Sequence, residues 1–202
     1  MTIREYKRAE SLEEAWQLNQ KKPNRILGGM IWLKMETINV GTAIDLSGLG
    51  LDTIEETEDS FSIGAMVTLR QLEQHPGLAA YTHGAMRETV RHIVGVQLRN
   101  LATVGGSIYS RFGFSDVLTL FMAMDCSVEL YKGGIVSLDG CADIDVLHFE
   151  PDHAAQHTVG LFLVQLPRFF QSFGPLIFSD RHHSCRFLSF FLCSFILTQI
   201  SI

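Results

Sequence analysis

The chain has 202 residues, 47% hydrophobic and 19% charged, proportions that suit one or two packed domains and exclude a wholly disordered or collagen-like chain. Sixteen Lys and Arg against 22 Asp and Glu give a formal charge of −6, so no overall basic field exists to hold a nucleic-acid backbone. Cys126, Cys141, Cys185 and Cys193 show no C-x-x-C pairing and no zinc or iron–sulfur spacing, which points to free thiols in a reducing cytosol and to no bound metal.

Charges interrupt the first residues, Met1 to Arg8, so neither a signal peptide nor an N-terminal membrane span is expected, and the expected location is cytoplasmic. Tyr6 to Ala9 reads as a short strand. Ser11 and Glu14 form a capping-box pattern that opens a helix through Gln20. Arg25 to Leu27 reads as a buried strand running into Gly28-Gly29, and Ile31-Trp32-Leu33 begins a helical turn. Thr42 to Leu46, Asp52 to Glu56 and Phe61 to Ala65 read as further strands.

Thr68 and Gln71 repeat the capping box before a short helix ended by His75-Pro76. A longer helix, His83 to Val94, places Met86, Val90, Ile93 and Val94 on one face, with Gly95 as its stop. His83 and His92 are nine residues apart and read as structural or solvent-facing, without metal-pair spacing. Asp116 to Met124 predicts a helix with Asp116 as a candidate N-cap. Ser127 to Leu138 predicts a hairpin turning at Gly133-Gly134. The mixture gives an α+β or α/β architecture.

Gly28-Gly29 and Gly105-Gly106 each follow an apolar run, and each lets backbone N–H groups approach an anion without a Cβ in the way. Together they suggest a pyrophosphate cradle. Neither fits G-x-G-x-x-G or the Walker spacing, so a Rossmann or P-loop assignment fails.

The stretch Arg99-Asn100-Leu101-Ala102-Thr103-Val104-Gly105-Gly106-Ser107, with Ser115-Asp116 downstream, resembles the second flavin loop of the molybdenum hydroxylase flavoprotein family. That family includes the medium subunits of xanthine and carbon monoxide dehydrogenases. The resemblance also takes in Arg8 to Ala15, Ile26 to Met30, Ala43 to Leu46 and Ile63 to Leu69, and spans roughly residues 4 to 148. It implies an α+β, two-lobed FAD-binding fold, with lobes of about residues 1–50 and 51–148. It further implies that Leu27, Gly28, Gly29, Met30 and Ile31, with Thr103, Val104, Gly105, Gly106 and Ser107, hold the FAD pyrophosphate. By the same resemblance Asp116 accepts hydrogen bonds from ribityl or ribose hydroxyls, and Leu147, near Asp143 to Leu147, approaches the isoalloxazine. No catalytic acid, base or nucleophile is identified.

The family pattern of the first loop is A-G-G-T-D, but this chain has Leu27, Met30 and Ile31 at the flanking positions, and Ser107 stands where Asn is usual. Backbone donation survives those changes. The resemblance also implies partners: a molybdenum-pterin subunit, a [2Fe–2S] subunit and NAD+ or another electron acceptor, with no nucleic acid and no membrane.

Only two of the 22 acidic and three of the 16 basic residues fall in residues 151–202, together with nine of the 14 Phe. Phe187 to Ile202, about 24 Å long as a helix, is short for a membrane span. A buried core element, a tail anchor, and an out-of-frame tail foreign to the fold all remain open, the last being preferred because the tail lacks the local consistency of the preceding sequence. Residues 149–202 are therefore expected to be an atypical tail, and the family's C-terminal domain missing or degenerate. The alternative to a flavin-holding redox subunit is a noncatalytic remnant or docking module that no longer binds FAD.

Overall fold

The computed structural model describes residues 1–110, 112–124 and 126–138, and the backbone of 162–167. The described residues fall within one unit, Met1–Phe169. Its first lobe is a parallel sheet of β1 (Thr2–Arg8), β2 (Arg25–Leu27) and β3 (Asn39–Asp45) in the order β1-β3-β2. Parallel strands need crossover connections, and α1 (Leu12–Asn19) lies in the one from β1 to β2, which flank β3 on either side. Ala15 of α1 is buried with Ile44 and Leu46, while Leu27, Val40 and Ala43 form a separate buried cluster.

Ser11 caps α1 by accepting the Glu14 N–H at 3.1 Å. The returning Glu14 carboxylate accepts from Glu10 N at 2.8 Å, one residue before the position a capping box predicts. The box at Thr68 is complete: its hydroxyl accepts from Gln71 N at 3.2 Å, and Gln71 Oε1 accepts from Thr68 N at 2.8 Å. It opens α2 (Leu69–Gln74).

His75-Pro76 starts another element as well as ending α2. Pro76 is the first residue of α3 (Pro76–Tyr81), and His75 Nδ1 accepts the Leu78 N–H at 3.2 Å. The helix expected over His83 to Val94 is shorter, α4 (Ala85–Arg91), because His83 and Gly84 both have positive φ. Met86 and Val90 are buried as the periodicity predicts, but Val94 is 80% exposed. The left-handed stop falls on Val94, at φ 47°, whereas Gly95 is extended at φ −148°. A β-branched residue in that region is uncommon.

α5 (Val96–Arg99), α6 (Val104–Tyr109) and α7 (Asp116–Met122) complete the described helices. The second lobe's sheet is antiparallel, with β4 (Ile54–Glu56), β5 (Ser60–Gly64), β6 (Ser127–Leu130), β7 (Gly134–Ser137) and β8 (Phe162–Pro167) in the order β4-β5-β8-β6-β7. Phe61, Ile63, Leu72, Leu78, Met86, Val90, Val104, Phe121 and Val128 make its core. The α+β expectation holds. The expected hairpin forms, Leu130 facing Gly134 across Tyr131-Lys132-Gly133.

Within residues 149–202, the backbone of β8 lies inside this sheet. Its backbone occupies the centre of the sheet, pairing Val164 with Ile63 on one side and with Val128 on the other.

Candidate functional site

The two glycine loops come from different lobes and meet. Gly28 and Gly29 leave the end of β2, and a Cβ built on Gly29 would lie 1.9 Å from the Leu101 carbonyl oxygen and 3.0 Å from Ala102 Cα. A Cβ on Gly28 would lie 3.0 Å from Thr103 Oγ1. Gly29 is thus required by backbone packing of one loop on the other, while Gly28 is close to a side chain of the second loop.

Two further contacts hold the lobes in this relation. The Lys132 ammonium sits 2.6 Å from the Glu13 carboxylate and 3.9 Å from the centre of the Trp16 ring. The Tyr131 hydroxyl donates to the same Glu13 carboxylate at 3.0 Å.

The loops differ in what they offer a ligand. In the second, Val104 N donates to Val67 O at 2.9 Å, Gly105 N to Ala65 O at 2.8 Å, and Ser107 N to Thr103 O at 3.0 Å. Gly106 N donates to Thr103 Oγ1 at 3.2 Å, and Ser107 Oγ donates to Thr103 O at 2.9 Å. These donors already have acceptors inside the fold. Gly105 packs on Ala65, with a Cβ there falling 2.7 Å from its oxygen, and Gly105-Gly106 lies in the first turn of α6. Among the described residues, Thr103 keeps its N–H and hydroxyl proton uncommitted.

The first loop has the opposite character. The N–H groups from Gly28 through Leu33 donate to no acceptor among the described residues, giving six consecutive uncommitted donors. Met30, at φ 57°, turns this row between β2 and the 3-10 turn Leu33–Met35. Successive N–H groups in such a bend form an anion-binding concavity.

Ser115, not Asp116, is the N-cap of α7: its hydroxyl accepts from Leu118 N at 3.2 Å. Asp116 is the first helical residue, exposed, and its carboxylate accepts no hydrogen bond from the described residues. Desolvation pushes its pKa above the usual carboxylate value. Leu147 and the Asp143 to Leu147 segment lie outside the described residues. Asp45, within the Ala43 to Leu46 segment, is structural, accepting from Ser47 N at 2.9 Å and Ser47 Oγ at 2.7 Å.

Arg99 belongs to the site's support, a role the sequence reading did not give it. It is buried, and its Nε donates to Glu73 Oε2 at 2.9 Å while Nη1 donates to Ile93 O at 3.1 Å. Arg70 also pairs with Glu73, at 2.9 Å. Since Arg99 precedes Leu101 by two residues, this network fixes the segment on which Gly29 rests. An arginine just ahead of the loop was the available signal, but its partner is 26 residues away in sequence.

Burial alone raises the Glu73 pKa, but the bonds and charges of Arg70 and Arg99 outweigh it and hold the carboxyl below the usual Glu value. The stabilisation it provides is therefore present above the unfolded Glu pKa, about 4.3, and is lost as pH falls through the lower folded value. Glu73→Gln is expected to flatten the fall in melting temperature on acidification below about pH 5. An unchanged acid limb would show that this network contributes nothing to acid stability.

Two lobes, one parallel and one antiparallel, meeting at apposed glycine turns define an α+β protein whose first loop carries a row of N–H groups uncommitted among the described residues. The chain belongs to the family of the FAD binding domain in molybdopterin dehydrogenase, whose model matches residues 2–137. FAD is the family's cofactor, and its members are components of FAD-dependent oxidoreductases.

The chain is similar to aldehyde oxidase 2 of Cavia porcellus, 32% identical over 100 residues, covering 44% of this chain and 8% of the relative. It is similar to the nicotinate dehydrogenase FAD-subunit of Eubacterium barkeri, 29% identical over 80 residues, covering 40% and 27%. Reconstituted CO dehydrogenase from Oligotropha carboxidovorans superimposes with a TM-score of 0.68 at 25% identity, covering 83% of this chain and 59% of that one. The chain thus spans well under two thirds of these relatives. Among the described residues no helix is long and apolar enough to cross a membrane.

Proposed function

We propose that the chain is the flavin-holding component of a cytoplasmic molybdenum hydroxylase, passing electrons from a [2Fe–2S] partner, fed by a molybdenum-pterin partner, to NAD+ or another acceptor. The observation that carries this reading is the row of six N–H groups, Gly28 to Leu33, uncommitted among the described residues and beginning where Gly28 lies against Thr103. These residues fit FAD: a pyrophosphate takes backbone donors without requiring the side chains that Met30 and Ile31 replace. FAD, when bound, supplies the two-electron redox chemistry.

The chain's own residues bind and orient. Gly28, Gly29, Met30 and Ile31 donate to the pyrophosphate, and Leu27 closes the apolar end of β2 beneath them. Thr103 adds its hydroxyl proton and N–H. Val104, Gly105, Gly106 and Ser107 keep Thr103 in place, their N–H groups being spent internally. Asp116, with a free carboxylate, accepts from cofactor hydroxyls, which favours its ionised form and offsets the desolvation that raises its pKa. The relatives' names, a nicotinate dehydrogenase FAD-subunit and a CO dehydrogenase, support placing the chain in an assembly of this kind.

Adding NADH anaerobically to the FAD-loaded full chain tests the acceptor side, because electron transfer runs in reverse from the reduced nicotinamide. Bleaching of the visible flavin band is the expected result. A flavin that dithionite bleaches but NADH does not would remove NAD+ as the acceptor.

A further inference from the structure

Trp32 follows the first glycine loop by three residues, and its own N–H belongs to the row of free donors. Its indole contacts two rings from the other lobe: Phe112 at 4.9 Å between centroids and Phe114 at 6.0 Å. Phe112 and Phe114 stack on each other at 5.0 Å with planes 9° apart, immediately before Ser115 and Asp116. The trio therefore joins the two segments that carry the cofactor signature.

It is also poorly covered, with Trp32 48% and Phe114 63% exposed. Single exposed apolar side chains are ordinary, but three aromatic rings in mutual contact make a patch that invites a ligand or partner. Both Phe rings meet Trp32 tilted, at 54° and 55°, so neither stacks on the indole face. A planar ring is the complement to such a face. The ligand of this cleft carries two, flavin and adenine, joined through the pyrophosphate that the neighbouring N–H groups suit. A bound pyrophosphate on residues 28–33 brings a ring system to the segment where the trio lies.

We propose that Trp32, backed by Phe112 and Phe114, stacks on one of the two planar rings of FAD and so sets cofactor affinity in this chain. The proposal rests on the reading that the Gly28 to Leu33 row holds FAD. Stacking on an aromatic residue replaces part of the polar side-chain contact that this chain lacks at Met30 and Ile31.

The test is equilibrium binding of FAD to the full-length chain and to Trp32→Ala, Trp32→Phe and Trp32→Leu, with apo melting temperatures measured alongside. Alanine is expected to weaken FAD binding by roughly tenfold to a hundredfold, as loss of a stacked ring does. Phenylalanine restores most of the affinity; leucine, which packs but has no π-face, does not. FMN and ADP as separate probes identify the ring, since only the probe carrying it loses affinity in Trp32→Ala. Full affinity in the alanine variant, or rescue by leucine equal to that by phenylalanine, overturns the stacking role while leaving FAD binding intact. A folded wild-type chain that binds no FAD overturns both readings.

Discussion

A chain ending at Leu147 is expected to lose the cooperative melting of its second lobe, because the cut removes β8. That strand pairs five positions of β5, Ser60 to Gly64, and four of β6, Ser127 to Leu130. Without it both strands are left with unpaired inner edges. Each buried backbone group stranded without a partner costs about 1–3 kcal/mol, and the stability of a whole domain is only about 5–15 kcal/mol. Phe61, Ile63 and Val128, buried on those two strands, would also meet water. Val164→Pro in the full chain acts on the same ladders without shortening the protein, since proline removes a donor from a central strand. Thermal unfolding followed by circular dichroism checks both variants. A Leu147-terminated chain melting cooperatively at the full-length temperature would show that β8 adds nothing to the sheet.

Gly29→Ala is expected to separate the two loops and abolish tight FAD binding, a loss of at least a hundredfold. The new methyl would sit 1.9 Å from the Leu101 carbonyl oxygen and 2.5 Å from its carbon. These are backbone atoms, so no side-chain rotation relieves the overlap. The lobes must shift by more than an ångström, and overpacking of this kind costs about 1–3 kcal/mol even where the structure relaxes. Gly113→Ala is the matched control, because nothing lies within 4 Å of its Cβ position and its φ is not positive. FAD titration with parallel melting curves is expected to leave the control near wild type and Gly29→Ala impaired in both. Wild-type affinity in Gly29→Ala would mean that loop apposition is not needed for the cofactor.

Much of this architecture was legible in short, locally determined signals. Arg25 to Leu27, the complete box at Thr68 and Gln71, and the hairpin around Lys132 all depend on residues a few positions apart. What failed depended on tertiary partners. Gly95 resembled a helix stop, yet Val94 takes the left-handed conformation. The tail lacks such local consistency, yet the backbone of β8 within it pairs with strands on both sides, partners that only folding supplies.

The candidate site divides in the same way. The glycine pairs mark both loops, and the resemblance names their order along the chain. The sequence cannot reveal that Val67 and Ala65 take the Val104 and Gly105 donors, because those acceptors are chosen by folding. Nor does spacing show that Gly29 is glycine for the sake of Leu101. The Arg99 and Glu73 pair and the contact of Trp32 with Phe112 are similarly long-range, so only the folded chain brings them into view.

In the proposed function the first glycine loop, braced by the second, holds FAD. Titrating the purified full-length chain with FAD, and reading bound flavin from its visible spectrum after removal of the excess, tests that claim most directly. One equivalent per chain, lost in Gly29→Ala and kept in Gly113→Ala, is the expected result. A folded full-length chain that retains no flavin would contradict it.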